Sequence, residues 1–253
     1  MENLEGERAT TRERAAKVLA RAGLCSRREA EQLIITGRVT VNGQMLEIPA
    51  TRIMPTDAVH IDGTVVATLP APIRLWRYHK PRGLVVTHRD PEGRQTVFAT
   101  LPRSLPRVVS IGRLDLTSEG LLLLTNNGAL AHKLEIPETS WVRRYRVRIH
   151  GKVDSVKIIR LSRGITLDGI TYGPIHIAID RASSSNTWLT VSLCEGRNRE
   201  IRRVMAACGW SVSRLIRISY GPFKLGCLAK RAVEEVSSKE LEGTVGTARL
   251  GTA

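Results

Sequence analysis

The four cysteines, Cys25, Cys194, Cys208 and Cys227, are scattered along the 253 residues and form no Cys-x-x-Cys pair. That spacing argues against a disulfide framework or a structural zinc site, and the four read as small core residues in a reducing compartment. The six histidines, His60, His79, His88, His132, His150 and His176, also lack ligand spacing, so no metal is expected. No apolar run comes near the roughly 18 residues of a membrane span, and no signal peptide is evident. The chain therefore reads as a soluble, cytoplasmic protein. Aromatic residues are scarce, with two Phe, four Tyr and four Trp. A tyrosine set among arginines is then unlikely to be casual.

Positive charge is what the chain has in excess. Lys and Arg number 39 against 24 Asp and Glu, for a net charge of +15 and a pI near 10.5. Such a balance points to a polyanion partner, with nucleic acid as the default and an anionic membrane surface as the alternative. The apolar fraction of 42% is enough for a core, and the length suits one large domain or two modest ones. Composition divides the chain into a disordered polar lead-in over residues 1–11, a first domain over 12–69, a linker over 70–73, a second domain over 74–236, and a disordered Ser-, Gly-, Thr- and Ala-rich tail over 237–253. Proline at Pro70 and Pro72 stiffens the linker.

In the first domain, Ala15, Val18, Leu19 and Ala22 fall at helical spacing, and Gly23 ends that helix. Ser26 and Glu29 have capping-box spacing for a second helix, which buries Ala30, Leu33 and Ile34 and stops at Gly37. Val39-Thr40-Val41 then alternates as a strand before an Asn42-Gly43 hairpin signal. Two short helices and a hairpin are too small a core for an enzyme. Lys17, Arg21, Arg27, Arg28 and Arg38 can collect on one surface, although acidic and basic residues balance over residues 1–69.

The second domain is organised around Ser110-Ile111-Gly112-Arg113-Leu114-Asp115-Leu116-Thr117-Ser118-Glu119-Gly120, which runs into Leu121-Leu122-Leu123-Leu124. The four leucines read as a buried strand, and Asp115 as a carboxylate on the tight connection before it. Taken alone, an Asp there is a common turn residue. Strands are also expected over Leu75–His79, Leu84–Thr87, Val142–Ile149, Leu189–Leu193 and Val212–Tyr220. The Arg144-Tyr145 break predicts that the strand's two faces exchange character near Tyr145. Ile201, Val204, Met205 and Cys208 take helical spacing. Many short strands, few helices and no glycine-rich phosphate loop argue for an α+β domain around a largely antiparallel mixed sheet.

Four ordered motifs carry a family resemblance. They are His79-Lys80-Pro81-Arg82-Gly83, Gly112-Arg113-Leu114-Asp115 with its Ser118-Glu119-Gly120-Leu121 continuation, Tyr145 in Arg143-Arg144-Tyr145-Arg146-Val147, and Glu195-Gly196-Arg197-Asn198-Arg199-Glu200-Ile201-Arg202-Arg203. Together they resemble the RsuA branch of bacterial ribosomal RNA pseudouridine synthases, over roughly residues 12 to 236. The first domain resembles the S4-type (alpha-L) RNA-binding module. The resemblance implies a long bent sheet crossed by a basic cleft, and Asp115 as the catalytic carboxylate. Asp115 would either attack the anomeric carbon or remove the neighbouring sugar proton. It further implies that Tyr145 stacks on the target base and takes the final proton through its hydroxyl, that Arg202 pairs with Asp115, and that Ile201 packs under the base. Arg113 would help displace the target nucleotide, and Arg197, Arg199 and Arg203 would meet phosphate. Lys17, Arg21, Arg27, Arg28 and Arg38 would do the same in the first domain. Lys80 and Pro81 belong to a motif read as structural, and Glu119 to a structural turn. Arg143-Arg144 stands where many relatives have Lys-Thr.

The motifs look most like those of the large-subunit enzyme of this branch. The expected partner is therefore 23S rRNA or a pre-ribosomal large subunit, bound by a monomer with no cofactor. A 16S enzyme and a non-catalytic ribosome-assembly factor remain as rival readings.

Overall fold

The computed structural model describes residues 12–69, 71–136, 140–183 and 185–247. The expected lead-in, Pro70 of the linker, and the end of the expected tail lie outside them. The chain divides into two compact units. The first contains the chain through Ile73 with Ser104–Val109 and Asn126–Gly128. The second contains Arg74–Arg103, Ser110–Thr125 and the chain from Ala129 onward.

In the first unit, β1 (Glu13–Arg14) leads into α1 (Ala15–Arg21), which is followed by α2 (Arg27–Ile35). The capping box at α2 is complete. Ser26 Oγ accepts from Glu29 N at 3.2 Å, and Ser26 N donates to Glu29 Oε2 at 2.6 Å. β2 (Val39–Val41) and β3 (Gln44–Met45) form the Asn42-Gly43 hairpin, with both turn residues at positive φ. β4 (Arg52–Ile53) pairs with β1. β5 (Val59–Ile61) and β6 (Thr64–Val66) repeat the hairpin device at Asp62-Gly63 and complete a sheet of order β3-β2-β5-β6. Val18, Leu19, Ala30, Ile34, Val39 and Val59 are almost wholly buried in one core.

The second unit is built on a nine-stranded sheet. Its strands are β7 (Leu75–Lys80), β8 (Val109–Ile111), β9 (Glu119–Thr125), β10 (Arg143–His150), β13 (His176–Ala182), β14 (Asn186–Leu193), β15 (Val212–Tyr220), β16 (Phe223–Lys224) and β17 (Val233–Glu235). A separate hairpin joins β11 (Ile165–Leu167) to β12 (Ile170–Tyr172). The main order is β13-β14-β10-β15-β9-β7-β17, with β8 on β9 and β16 on β15. Along the main order every neighbouring pair is antiparallel except β15 and β9. Every residue of β9 is buried, as expected of a continuous apolar run at the centre of a sheet covered on both faces. The helices are α3 (Gly128–Glu135), α4 (Ser155–Leu161), α5 (Glu200–Ala207) and α6 (Ser238–Thr247).

Four expectations are corrected. Leu84–Thr87 is not a strand: only Val85 pairs, in an isolated bridge to Thr96. The faces of β10 do not exchange, because Arg143 is buried on the same face as Tyr145, Val147 and Ile149. The break instead appears as a register shift against β15 between Arg144 and Tyr145. Residues 238–247 of the expected disordered tail form α6. Ser237 Oγ accepts from Glu240 N at 3.2 Å, and Leu241 and Thr244 are buried. Of the cysteines, Cys25 and Cys208 are buried, but Cys194 and Cys227 are exposed. No helix among the described residues is long and apolar enough to cross a membrane.

Candidate active site

Asp115 lies on the connection between β8 and β9, and that connection is anchored at several points. Gly112 opens it at φ +67°, and its N–H donates to Glu135 Oε1 at 2.6 Å. Beneath the connection lies Lys80, wholly buried. Its Nζ donates to the carbonyls of Pro81 at 3.1 Å, Asp115 at 3.0 Å and Ser118 at 2.9 Å. One ammonium thus holds the connection at two carbonyls, those of Asp115 and Ser118, and ties it to Pro81 by a third charge-assisted bond. Burial pulls Lys80 down to about 8, against the upward pull of the Asp115 and Glu119 carboxylates.

The connection ends at Glu119, which is 2% exposed. Burial alone would raise its pKa, but Arg214, bonded at 2.6 and 3.2 Å, and Lys230 at 3.5 Å bring it below the ordinary value. Glu119 is thereby committed to structure. The following Gly120 has φ +104°, and a Cβ there would lie 2.3 Å from the carbonyl oxygen of Arg217. Only glycine permits β9 and β15 to approach in parallel at this point.

Asp115 opens onto a cavity of about 550 Å³. Tyr145 from β10, Ile201 from α5, Arg113, Arg197 and Arg199 share its wall with Asp115. Tyr145 is 8% and Ile201 5% exposed, so each offers an apolar surface from within the wall. Arg113 is exposed, as are Arg197 and Arg199. Arg197 is partly engaged by Glu195 at 3.0 Å. Arg199 caps α5 in a left-handed conformation, φ +53°, which is costly for a non-glycine residue and recurs at functional sites.

Arg202 and Arg203 do not line this cavity. Arg203 is exposed, and the expected Arg202–Asp115 ion pair does not form within 4 Å. Arg202 is drawn instead to the carbonyls of Val212 at 3.3 Å and Thr117 at 3.4 Å, two residues beyond Asp115. It braces the same connection through the backbone. Burial and then Arg199 lower its pKa, Asp115 opposes them, and Arg82 lowers it further.

Three further wall residues were not singled out from sequence, namely Arg143, Glu200 and Arg217. Glu200 is 4% exposed. Its Oε2 accepts from Arg197 N at 3.0 Å, and its Oε1 has no partner. Burial raises it to about 7, despite the bond from Arg197 and with further help from Glu195. An acid inside a basic motif was the available signal for this residue.

In the first unit the five basic candidates are not equivalent. Lys17 bonds Glu13 at 2.5 Å, and Arg21 pairs with the same carboxylate. Arg38 is paired with Asp62, its Nε donating at 2.9 Å. Arg27 and Arg28, exposed in the first turn of α2, have no ion pair among the described residues.

The family described as RNA pseudouridylate synthase matches residues 74–207. The chain belongs to that family. An S4 domain model matches residues 13–59 of the synthase. An uncharacterized RNA pseudouridine synthase of Rickettsia conorii is 45% identical over 229 residues, covering 90% of this synthase and 98% of the relative. Ribosomal large subunit pseudouridine synthase B of Escherichia coli is 42% identical over 218 residues, covering 84% of this synthase and 75% of the relative. A crystal structure of a pseudouridylate synthase has the same fold, with a TM-score of 0.63 at 24% identity, covering 92% of this synthase and 99% of that chain. The synthase therefore acts on RNA, isomerising uridine to pseudouridine.

Proposed function

We propose that the synthase modifies a uridine of large-subunit ribosomal RNA, with Asp115 as the carboxylate that acts at the sugar. The observation that carries the chemistry is the shared cavity, whose wall holds an anchored Asp115 together with Tyr145 and Ile201. The likeness to the large-subunit enzyme of Escherichia coli supports the choice of RNA. The bond from ribose C1′ to uracil N1 breaks, and its electron pair leaves with the ring. The ring turns, C5 bonds to C1′, and the C5 proton departs. Atoms and electrons balance without an external group.

Asp115 either supplies an electron pair to C1′ or takes the neighbouring sugar proton. A glycosidase with a poor leaving group uses a second carboxyl as acid. Uracil leaves as a delocalised anion, so one carboxylate suffices. Tyr145 stacks on the base, the usual protein platform for an unpaired nucleotide, and Ile201 packs against it. Arg113, Arg197 and Arg199 meet phosphate at the cavity mouth, and Arg203 does so on the exposed face of α5. Arg202 acts through Thr117, keeping Asp115 in place. Arg27 and Arg28 supply the main phosphate contacts of the first unit. The synthase works in the cytoplasm, where its substrate is assembled.

Mapping pseudouridines across the rRNA of a deletion strain tests the substrate. One 23S position should lose its pseudouridine and regain it on complementation. Loss at a 16S position, or at none, would overturn the proposal.

A further inference from the structure

Two buried arginines in the cavity wall have no carboxylate partner among the described residues. Arg143 is 8% and Arg217 3% exposed, and neither forms an ion pair with a described residue. Arg143 donates only to the carbonyls of Cys194 and Trp141 and to the Tyr220 hydroxyl at 3.1 Å. Arg217 Nε donates to Leu121 O at 2.8 Å, and its Nη2 has no partner. Both guanidinium groups stand over the Tyr220 ring, 4.7 and 5.1 Å from its centroid.

Strand register sets them around the base platform. Arg217 is the cross-strand partner of Tyr145, and Arg143 that of Tyr220. Arg143 also shares the buried face of β10 with Tyr145. The nearby carboxyl of Glu200 offsets this charge only in part, because burial leaves it half protonated near pH 7. Guanidinium stays charged at any working pH, and burying it unpaired is costly. Two such charges in one wall match an anion that arrives or forms there.

The reaction forms one. When the C1′–N1 bond breaks, the electron pair enters the ring and its charge spreads over N1 and the two carbonyl oxygens. We propose that Arg143 and Arg217 form a cationic floor that stabilises the detached uracil anion. This rests on the functional reading above. A backbone phosphate is the other anion available, but the reading above assigns phosphate to Arg113, Arg197 and Arg199, which are exposed where Arg143 and Arg217 are buried. The buried pair lies beside the base platform.

The test compares Arg217→Gln and Arg217→Lys on an rRNA fragment carrying either uridine or 5-fluorouridine at the target. Fluorine withdraws electrons, so its ring leaves as an anion with less help. Consumption of the target nucleoside is followed in single turnover, beside RNA affinity at several salt concentrations. On uridine, Arg217→Gln should lose about 10²–10³ in rate, the usual scale for losing one preorganised donor. Affinity and salt slope should not change. On 5-fluorouridine the loss should shrink to within about tenfold, and Arg217→Lys should stay within about tenfold of the parent on both. Equal losses on the two bases would overturn the proposal. So would weaker binding with a shallower salt slope, which marks a phosphate contact. If Arg217→Gln does not fold, Arg217→Lys decides: retained turnover supports the floor, and a loss equal on both bases overturns it. A parent that consumes neither target would overturn the functional reading as well.

Discussion

Replacing Lys80 by Met removes the anchor under Asp115 without touching the cavity. Lys80 is wholly buried and its ammonium binds three carbonyls, so the variant removes three bonds and leaves the Asp115 carbonyl only the Ser118 N–H at 3.0 Å. Bonds from a charged donor contribute about 1.5–3 kcal/mol each, which gives about 4.5–9 kcal/mol if they add. Against this stands the cost of holding a buried charge. The fall from 10.5 to about 8 corresponds to about 3.4 kcal/mol at 1.36 kcal/mol per pH unit. The net loss of stability should be about 1–6 kcal/mol, read by urea unfolding at pH 7. Single-turnover conversion should fall by about 10², because reacting groups misplaced by about 1 Å lose that much, while RNA affinity holds.

The pH behaviour separates the two roles of Lys80. Its folded pKa lies below the unfolded value, so the unfolded chain binds more protons between pH 8 and 10.5. The contribution of this group to stability therefore rises with pH across that window. Activity goes the other way, since deprotonation above about pH 8 weakens the anchor. The parent should show an alkaline limb near pH 8 that Lys80→Met lacks. A variant with parental rate, parental stability and the same alkaline limb would refute the anchoring role.

Tyr145→Phe should bind RNA normally but turn over slowly, whereas Tyr145→Ala should also lose about 1–3 kcal/mol of affinity, the range for one base stack. Full activity in Tyr145→Ala would reduce the residue to a core aromatic. Glu200 has its folded pKa raised to about 7, so its contribution to stability is complete below pH 4.5 and is lost as pH rises through 7. Glu200→Gln should remove that loss and be about 1–3 kcal/mol more stable than the parent at pH 8, but not at pH 4.5. Equal urea midpoints at both pH values would contradict the assignment. In the first unit, Arg27→Ala with Arg28→Ala should reduce the salt slope of RNA binding by up to about 2, one counterion per phosphate contact. Arg38→Ala, which breaks an internal pair, should leave the slope nearly unchanged, and the reverse ranking would count against the patch.

Where local pattern and tertiary burial agree, the sequence was easy to read. Ser26 and Glu29 cap α2 as their spacing requires, the Leu121–Leu124 run lies at the sheet centre, and Val212–Tyr220 is a strand over its full predicted length. Misreadings arose where a distant residue decides the outcome. Leu84–Thr87 has strand composition, but it finds only the single Val85–Thr96 bridge. The tail looks too polar to fold, yet one Ser237 cap and a buried Leu241 are enough for a helix. Arg143 resembles its exposed neighbour Arg144, and only the register places it in the wall. Arg202 illustrates the limit of motif transfer. Its position was legible, but its bond to Thr117 rather than to Asp115 depends on a side-chain path that spacing does not encode.

Single-turnover conversion of a 23S rRNA fragment by Asp115→Asn, measured between about pH 6 and 9 with binding beside it, tests the central claim most directly. The substitution keeps size and hydrogen bonding and removes the negative charge, which both chemical routes require at the sugar. The account predicts no pseudouridine at any pH, with RNA affinity equal to or slightly above that of the parent. Substantial pseudouridine from this variant would contradict the catalytic role of Asp115.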